Sequence, residues 1–329
     1  MEKIIKKRLD ELNMFIPDRV GFICFASFES RCLSIPKAMD QGKIIKTWIL
    51  RNNYGRTAET NQANFDVIKE LSRNKKELEF SLKRSDKIAD LIYELMKELK
   101  TLHIEKIVVD ISTFTHEVLL ILIKALYIAK NNFEEIIFLY NGADRYSEWL
   151  SKGCKDIRNV VGYPGYWNPA YKYHLIVLSG FEQERITGLV EILEPDSLSL
   201  GVCSDSTNDN HNDTIRRYRK RFDDWARNLQ VLKKYERFDF SCTNIEDTVK
   251  SIEKITNLNS EMNYILAPLN TKLSTVAAGI VALRNESIQL CYPIPEAYNI
   301  EYALPSENVT IVELLSISSF RDNENIELL

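Results

Sequence analysis

The segment HLIVLSGFEQER, residues 174–185, decides how the chain is interpreted, because GFICFASFESR, residues 21–31, repeats its pattern. In both segments an apolar run stops at a small residue, Phe-Glu follows, and an arginine comes within one helical turn. A short apolar run, a small turn residue and then a helical pattern predict a strand that leads into a helix. Finding this unit twice indicates an internal duplication.

Further strands and helices alternate after each copy of this segment. The first copy precedes predicted strands at 44–50, 78–82, 106–110 and 136–140, and the second precedes strands at 198–203, 238–240, 264–266 and 288–292. Such alternation favours parallel β-α-β units, and the near-continuous apolar character of the strands favours sheets covered on both faces. We predict an α/β fold of two tandem Rossmann-like units, each with a mainly parallel five-stranded sheet flanked by helices.

The predicted domain organisation has five parts. Residues 1–19 form an N-terminal helix that ends at Pro17, and residues 20–146 form the first Rossmann-like unit. Residues 147–172 form a crossover linker, whose aromatic content predicts an ordered segment. Residues 173–315 form the second unit, including one extra strand at 309–314, and residues 316–329 form an acidic tail that frays.

Composition excludes several classes of protein. A chain of 329 residues that is 45% hydrophobic and 27% charged is typical of a soluble globular protein. The net charge of -4 disfavours binding to duplex nucleic acid, but a small anionic ligand needs only a local cluster of donors. The N-terminus lacks the apolar core of a signal peptide, and the most apolar helix, at 118–129, is too short to span a membrane. Six cysteines without a C-x-x-C pair predict reduced thiols in a cytoplasmic protein.

Candidate site residues follow from the predicted sheet. Ligands of open parallel sheets bind beyond the carboxyl ends of the strands, where the strand order reverses. Short polar and charged side chains follow the predicted strands at these ends. The candidate ligand-binding residues are Ser27, Glu29, Arg31, Ser112, Thr113, Gly180, Arg185, Asp205, Asn270, Thr271 and Lys272. Asn270-Thr271-Lys272 opens a helix, where backbone N–H groups and a lysine suit an anion.

Several of these residues also have a purely structural interpretation. Glu29 and Glu182 fall in a first helical turn, where a carboxylate suits the helix dipole, and Asp110 could cap the next helix. The chain has no G-x-x-x-x-G-K-[ST] loop, no G-x-G-x-x-G after the first strand and no G-x-S-x-G elbow. It also lacks a His/Cys spacing typical of zinc sites. We therefore predict no cofactor and no metal.

The polar loop after strand one and the Ser/Thr-rich turn that ends in lysine after strand four resemble the CARF (CRISPR-associated Rossmann fold) and related sensor domains. The resemblance is carried by Asn270-Thr271-Lys272, by Asp110-Ile-Ser112-Thr113 and by the paired Phe-Glu-x-(x)-Arg turns. The first copy is expected to have Thr115 where the second has Lys272. The resemblance implies paired domains that bind cyclic oligonucleotides in bacterial immunity, here as two units of one chain.

The predicted function is therefore binding of a nucleotide-like anionic ligand between two Rossmann-like lobes, as a sensor or partner subunit in a bacterial antiviral defence system. A protein partner or a homodimer is compatible with this role. The alternative is an enzyme that cleaves a phosphodiester or N-glycosidic bond in the same cleft. In that case Asp110 or Glu182 serves as acid or base, and Arg185 and Lys272 hold charge in the transition state. An interaction protein with a degenerate site is a third class.

Overall fold

The computed structural model describes residues 4–52, 58–81, 84–205, 219–222, 224–225, 234–301 and 303–321. The chain divides into two compact units. Unit 1 consists of Met1–Tyr146 and Ile300–Leu329, and unit 2 consists of Ser147–Asn299. Each unit is built on a mainly parallel sheet with helices, and this confirms the predicted fold class.

The N-terminal part of unit 1 contains seven strands and four α-helices within the described ranges. The strands are β1 (Ile4–Arg8), β2 (Val20–Ala26), β3 (Ile44–Asn52), β4 (Lys75–Phe80), β5 (Lys106–Asp110), β6 (Glu135–Tyr140) and β7 (Ala143–Tyr146). The helices are α1 (Ser34–Ala38), α2 (Ala58–Leu71), α3 (Ser85–Thr101) and α4 (His116–Ile128). Short 3-10 helices cover Leu9–Met14, Ser30–Leu33 and Lys130–Asn132.

Unit 2 follows, and the C-terminal segment then returns to unit 1. The strands of unit 2 are β8 (Ser151–Lys152), β9 (Asp156–Asn159), β10 (Lys172–Leu178), β11 (Ser197–Cys203), β12 (Tyr235–Phe240), β13 (Met262–Pro268), β14 (Ile288–Ile294) and β15 (Ala297–Tyr298). Its helices are α5 (Gln183–Leu193), α6 (Ile245–Thr256) and α7 (Lys272–Arg284). The returning segment contains β16 (Ala303–Pro305), β17 (Asn308–Glu313), a 3-10 helix at Leu314–Ser316 and α8 (Ser318–Arg321).

Both units share one strand order in the parallel part of the sheet. The order is β4-β3-β2-β5-β6 in unit 1 and β12-β11-β10-β13-β14 in unit 2. When the parallel strands of each unit are numbered 1 to 5 along the chain, both sheets have the order 3-2-1-4-5. This is the Rossmann arrangement, and the order reverses between the first and fourth strands. The sheets are larger than the predicted five strands, because antiparallel strands extend them to seven and six.

Burial explains why these segments form central strands. All seven residues of β2 are buried, as are the last five of β10, so both faces of each central strand are covered. In α3 the buried residues Ile88, Ile92, Leu95 and Leu99 recur at helical spacing and form one apolar face. The sequence therefore specifies the layered arrangement through continuous apolar runs in the central strands and through helical spacing of apolar residues in the helices.

The predicted N-terminal helix within residues 1–19 is wrong. Ile4–Arg8 is a strand that pairs antiparallel with β17, with Ile4 opposite Val312, and Leu9–Met14 is a 3-10 helix. The apolar spacing of the segment fits a helix locally, but pairing with a distant strand satisfies its backbone. Tertiary pairing therefore overrides the local pattern.

The predicted range of the second unit, 173–315, is also wrong at its C-terminal end. Strand β17 pairs with β6 and with β1, both in the sheet of unit 1, so the chain after Asn299 belongs to unit 1. An alternating apolar run indicates a strand but does not indicate its partner. The predicted fraying tail begins with ordered residues, since Phe320 is buried and its ring lies 5.4 Å from that of Tyr127. Residues 322–329 of the tail lie outside the described residues.

The predicted crossover linker, 147–172, is part of unit 2. Its strand β9 pairs antiparallel with β14, and β8 pairs with β15. The aromatic residues of this segment correctly indicate an ordered structure. Its glycine-rich sequence does not indicate the two short strands, which form through antiparallel pairing with β14 and β15.

Sheet register refines the internal duplication. Gly21 pairs with Ile107 in β5 and His174 pairs with Tyr264 in β13, so first and fourth strands correspond between units. For the second strand, Cys24 pairs with Ile49 and Val177 pairs with Leu200. Because Cys24 and Val177 stand at matching positions of the repeated segment, Ile49 corresponds to Leu200.

Candidate functional site

The carboxyl ends of the first and fourth parallel strands are the natural place for a site in each unit. The strand order reverses between β2 and β5 in unit 1, and between β10 and β13 in unit 2. Loops after such strands diverge to opposite faces of the sheet and leave a crevice between them.

In unit 1 a buried ion pair occupies this position. The guanidinium of Arg31 donates to Oε2 of Glu29 from Nε at 3.0 Å and from Nη2 at 2.5 Å, and its Nη1 donates to the carbonyl of Asn141 at 3.2 Å. Burial opposes the charge, but the carboxylate of Glu29 raises the pKa of Arg31 above its ordinary value. The pair therefore fixes the loop after β2 to the end of β6.

Asp110 lies at the end of β5 and is almost fully buried, at 2% exposure. Its Oδ1 accepts the N–H of Ser112 at 3.0 Å and the hydroxyl of Ser112 at 2.5 Å. Burial raises the pKa of Asp110 to about 7, against the lowering effects of the Ser112 bonds and the charge of Arg31. The hydroxyl of Ser112 in turn accepts the N–H of Asn141 at 2.9 Å.

The other predicted residues of unit 1 join the same network. Thr113 Oγ1 donates to the carbonyl of Phe25 at 2.8 Å, and Ser27 Oγ accepts the N–H of Glu29 at 3.4 Å. The structure thus brings together Ser27, Glu29, Arg31, Asp110, Ser112 and Thr113, but it uses their polar groups in internal hydrogen bonds. These bonds make the edge of unit 1 a rigid polar network.

Asn141 is the residue of this network that sequence reasoning missed. Its Nδ2 donates to the carbonyls of Ser306 and Asn308, both at 2.7 Å, and thereby ties the returning C-terminal segment to the network. Its Oδ1 is buried without a hydrogen-bond partner among the described residues. A signal existed, because Asn141 directly follows the fifth parallel strand, which ends at Tyr140, and so lies at the same carboxyl edge of the sheet as the predicted residues.

Unit 2 repeats the buried pair. Arg185 donates from Nη1 to Glu182 Oε2 at 3.0 Å and from Nη2 to the carbonyl of Pro293 at 2.5 Å. The hydroxyl of Ser151 donates to the other oxygen of Glu182. Burial opposes the charge of Arg185, but Glu182 raises its pKa above the ordinary value. The guanidinium also lies 5.3 Å from the ring centre of Tyr292, whose hydroxyl is 2.9 Å from that of Tyr298.

The residues after β13 have mainly structural contacts. Asn270 Nδ2 donates to the carbonyl of Ser179 at 2.6 Å, and Asn270 Oδ1 accepts the N–H of Thr271 at 2.8 Å. Thr271 caps α7 by accepting the N–H of Ser274 at 3.3 Å. Lys272 is the first residue of α7, and its side chain is partly exposed, as are those of Asn270 and Thr271.

Gly180 has a packing role at the same edge. A Cβ at this position would lie 2.3 Å from the carbonyl oxygen of Leu269, closer than any carbon side chain allows. The glycine therefore permits the loops after β10 and β13 to approach each other.

The helix caps correct the alignment of the two copies. Thr115 accepts the N–H of Val118 at 3.3 Å and caps α4, as Thr271 caps α7. Thr115 therefore corresponds to Thr271, and His116 corresponds to Lys272. The expected match of Thr115 with Lys272 is wrong by one residue, because the loops before the two helices differ in length.

Asp205 is held by the loop after β12. Its Oδ2 accepts the hydroxyls of Ser241 and Thr243, and its Oδ1 accepts the N–H of Cys242 at 2.6 Å. Burial raises the pKa of Asp205, but these bonds outweigh it and leave the pKa below the ordinary value. Asp205 is therefore an ionised carboxylate that hydrogen bonds hold in place at the ends of β11 and β12.

A cleft of about 410 Å³ opens within unit 2, beyond the carboxyl end of β10. Two segments form its walls, the residues before and in β8 and the turn from β10 into α5. It is lined by Ser147, Glu148, Trp149, Leu150, Ser151, Lys152, Phe181, Glu182, Gln183, Glu184 and Arg221. Glu182 is one of the predicted site residues, but the wall from Ser147 to Lys152 was not predicted, because its sequence is typical of a linker.

The two carboxylates that were predicted as catalytic do not form a pair within one unit. Asp110 belongs to unit 1 and Glu182 belongs to unit 2. Both oxygens of Glu182 accept hydrogen bonds, from Ser151 and Arg185. The geometry of Glu182 is therefore that of an anchor for Arg185.

Comparison with known proteins gives only distant likenesses. No protein-family model and no curated protein sequence matches this chain. Among solved structures, AtPrR2 with NADP+ and (+)pinoresinol is similar over 72% of this chain and 82% of its own, at 10% identity and a TM-score of 0.27. MurG of Acinetobacter baumannii is similar over 76% of this chain and 71% of its own, at 12% identity and a TM-score of 0.25. No helix in the described ranges combines the length and the hydropathy needed to cross a membrane.

Proposed function

We propose that unit 2 binds a nucleotide-like anionic small molecule in the cleft beyond β10, and that the protein acts as a ligand sensor. The observation that carries the proposal is the composition of this cleft. It combines two cationic side chains, two aromatic side chains and the first turn of an α-helix. Its volume falls within the range of ordinary small-molecule sites.

The first turn of α5 supplies backbone donors. Glu182 is the N-cap residue, but its side chain makes no capping bond, because its carboxylate is engaged by Arg185 and Ser151. The first N–H groups of a helix have no partner within the helix, and the helix dipole favours an anion beside them. A phosphate group at Gln183 and Glu184 would meet these donors.

Charged side chains of the cleft divide into two groups. Lys152 and Arg221 are exposed cations, suited to the phosphate of a nucleotide. The negative charge of Glu182 is compensated by Arg185, and Glu184 accepts the N–H of Gly153 at 2.7 Å. The exposed carboxylate of Glu148 can accept hydrogen bonds from the hydroxyl groups of a sugar.

The aromatic residues complete a nucleotide-like site. Trp149 and Phe181 line the cleft, and the Lys152 ammonium lies 4.6 Å from the ring centre of Trp149. Stacking of a base on an aromatic ring is worth about 1–3 kcal/mol. A base that stacks on Trp149 would displace the Lys152 ammonium from the ring. The ammonium would then be available to pair with the phosphate of the ligand.

A sensor role is favoured over catalysis because neither predicted catalytic carboxylate is available. Asp110 is 2% exposed, and Glu182 is fully hydrogen-bonded. On the basis of the resemblance to CARF domains, we further propose that the ligand is a cyclic oligonucleotide and that the sensor acts in bacterial antiviral defence. Binding between the two lobes stays a prediction.

One observation favours the enzyme as the second candidate. The pKa of Asp110 near 7 is the kind of shift that general acids and bases show, although structural networks also cause it. If the chain consumes a nucleotide and Asp110→Asn abolishes the turnover, the enzyme replaces the sensor.

The test is binding of mono-, di- and cyclic nucleotides to the full chain, measured by thermal shift and calorimetry. Lys152→Ala and Arg221→Ala should each weaken the affinity of the best ligand about 10- to 100-fold, the value of a charge-assisted hydrogen bond. The matched controls are Lys155→Ala and Lys220→Ala, which remove exposed cations outside the cleft lining.

The outcomes separate the classes of function. Binding without product, weakened by the cleft variants only, supports the sensor. Binding that is equally weakened by the control variants overturns the assignment to this cleft. The absence of binding to every nucleotide favours an interaction protein with a degenerate site.

A further inference from the structure

Two thiols and a carboxylate converge at the ends of β11 and β12, and none of the three lines the cleft. Cys203 is the last residue of β11 and lies opposite Phe240 in the parallel neighbour β12, so Cys242 follows two residues later. The Sγ of Cys203 lies 2.6 Å from the carbonyl oxygen of Asp205 and 3.5 Å from its Oδ1. The Sγ of Cys242 lies 3.3 Å from the same carbonyl.

The three side chains are mutually close. One ligand atom from each of Cys203, Asp205 and Cys242 lies within 4.8 Å of the other two. Ligand atoms around a tetrahedral zinc, bound at about 2.0–2.3 Å, are about 3.3–3.8 Å apart. Binding would therefore draw the three ligand atoms together by at most about 1.5 Å.

The geometry points to a site for a thiophilic divalent cation of the Zn²⁺ type, held by the sulfurs of Cys203 and Cys242 and by Oδ1 of Asp205. This inference is independent of the proposed nucleotide cleft. Binding requires that each thiol lose its proton to solvent, while Asp205 already carries its charge. The set of two thiolates, one carboxylate and one divalent cation then has a net charge of about -1.

The surroundings of Asp205 are those of an oriented ligand. Hydroxyl groups of Ser241 and Thr243 hold Oδ2, whereas Oδ1 accepts one backbone hydrogen bond, from Cys242, and lies 3.5 Å from the Sγ of Cys203, so its second lone pair is the one that would face a cation. Hydrogen bonds of this kind orient metal-binding carboxylates in general. The backbone carbonyl of Cys203 also accepts a hydrogen bond from Arg219 Nη2 at 3.0 Å, which brings a positive charge beside the anionic set.

Ligand chemistry selects the class of cation. Thiolates favour Zn²⁺ and similar borderline or soft ions, whereas Mg²⁺ and Ca²⁺ require oxygen ligands. Three protein ligands leave a fourth position for water or a substrate, as in catalytic zinc sites. The spacing C-x-D followed by a distant cysteine matches no zinc motif. The three residues become recognisable as a candidate metal site only because β11 and β12 are neighbours in the sheet.

The test uses the full chain, reduced and stripped of metal by a chelator. Titration with Co²⁺ should produce thiolate-to-cobalt charge-transfer absorption and the d–d bands of tetrahedral coordination, and Zn²⁺ should displace the cobalt with a stoichiometry of one. Cys203→Ser and Cys242→Ser should remove the charge-transfer absorption, whereas Cys154→Ser should retain it. Ser241→Ala and Thr243→Val should weaken Zn²⁺ binding about 10- to 100-fold.

A second measurement needs no variant. Zn²⁺ should protect Cys203 and Cys242 of the wild-type chain from alkylation, while Cys154 stays reactive. The inference is overturned if Co²⁺ gives no charge-transfer absorption, if the absorption persists in both cysteine variants, or if Zn²⁺ leaves alkylation unchanged. A Cys203–Cys242 disulfide that persists under reducing conditions, detected by mass spectrometry, overturns it as well.

Discussion

Arg31 and Arg185 are equivalent buried residues, and each donates to the backbone carbonyl of the residue that follows a tyrosine of the fifth parallel strand, Tyr140 in unit 1 and Tyr292 in unit 2. The acceptors are the carbonyls of Asn141 and Pro293. Each arginine also pairs with a glutamate from the turn after the first strand. The duplicated Phe-Glu-x-(x)-Arg pattern is therefore explained by a duplicated anchor that joins the first and fifth strands.

We expect removal of either arginine to be strongly destabilising. In Arg185→Met the carboxylate of Glu182, whose side chain is 7% exposed, loses its counter-charge and the carbonyl of Pro293 loses its donor. Breaking a buried pair from one side costs about 3–5 kcal/mol. Urea unfolding should show this loss, and the double variant Glu182→Gln/Arg185→Met should recover part of it.

A partly exposed pair is the control for this experiment. Arg284 donates to Glu253 at 2.7 Å, with side chains about one-third exposed. Arg284→Met should cost only about 0–1 kcal/mol. Equal losses for Arg185→Met and Arg284→Met would show that the buried anchor has no special contribution.

The fold class could be predicted from the sequence because buried parallel strands appear as short apolar runs between helical patterns. Strands β2 and β10 are examples, since apolar residues fill both of their faces. The partner of β17 could not be predicted, because an alternating strand shows which face is buried but not which distant strand it pairs with. The same limit explains the error at Ile4–Arg8, whose strand exists through that pairing.

The position of site residues was more predictable than their role. Asp110 and Asn270 follow strand ends, as the pattern indicates. Asp110 accepts hydrogen bonds from Ser112, two residues further on, whereas Asn270 donates to the carbonyl of Ser179 in a loop far away in sequence. The thiols of Cys203 and Cys242 are brought together by two neighbouring strands, and no sequence spacing reports that neighbourhood.

Asp110 should make the stability of unit 1 fall as the pH rises. Its folded-state pKa of about 7 is above the unfolded value of about 3.9, so the folded state retains a proton that the unfolded state releases. Between about pH 4 and pH 7 the unfolded state binds fewer protons, and stability decreases by up to roughly 4 kcal/mol. Asp110→Asn should flatten this part of the pH profile in urea unfolding.

Asp86→Asn is the matched control for Asp110. The hydrogen bond from Arg84 lowers the pKa of Asp86 to about 2, so its contribution changes only below about pH 4. The control should leave the profile between pH 4 and 7 unchanged. A wild-type slope that persists in Asp110→Asn would exclude Asp110 as its source.

His174 should act in the opposite direction in unit 2. Its ring nitrogens lie 2.7 Å from Ser197 Oγ and 2.8 Å from Ser199 Oγ, and burial lowers its pKa. Lys234 lowers the pKa further, while Glu236, which accepts the hydroxyl of Ser199 at 2.5 Å, raises it. As the pH falls through about 6.5, the unfolded state takes up a proton that the folded state resists, and stability decreases.

His174→Asn should reduce this loss below pH 6.5, whatever its effect on stability at neutral pH. The control is His103→Asn, which changes an exposed histidine in a left-handed conformation that asparagine tolerates. Urea midpoints measured from about pH 7 to pH 5 decide the matter. The assignment to His174 fails if its variant keeps the acid slope of the wild type.

Gly180→Ala distinguishes a packing role for Gly180 from a role in ligand approach. The added Cβ would lie 2.3 Å from the carbonyl of Leu269, and this backbone atom cannot move aside as a flexible side chain would. Overpacking of this kind costs about 1–3 kcal/mol.

Gly42→Ala is the control, because its Cβ would meet only the side chain of Asp40, at 3.1 Å. We expect a lower melting temperature for Gly180→Ala than for Gly42→Ala, together with unchanged affinity for any nucleotide that unit 2 binds once the protein is folded. Unchanged stability of Gly180→Ala would mean that the loops after β10 and β13 can separate, and a crevice between them would then be open to ligand.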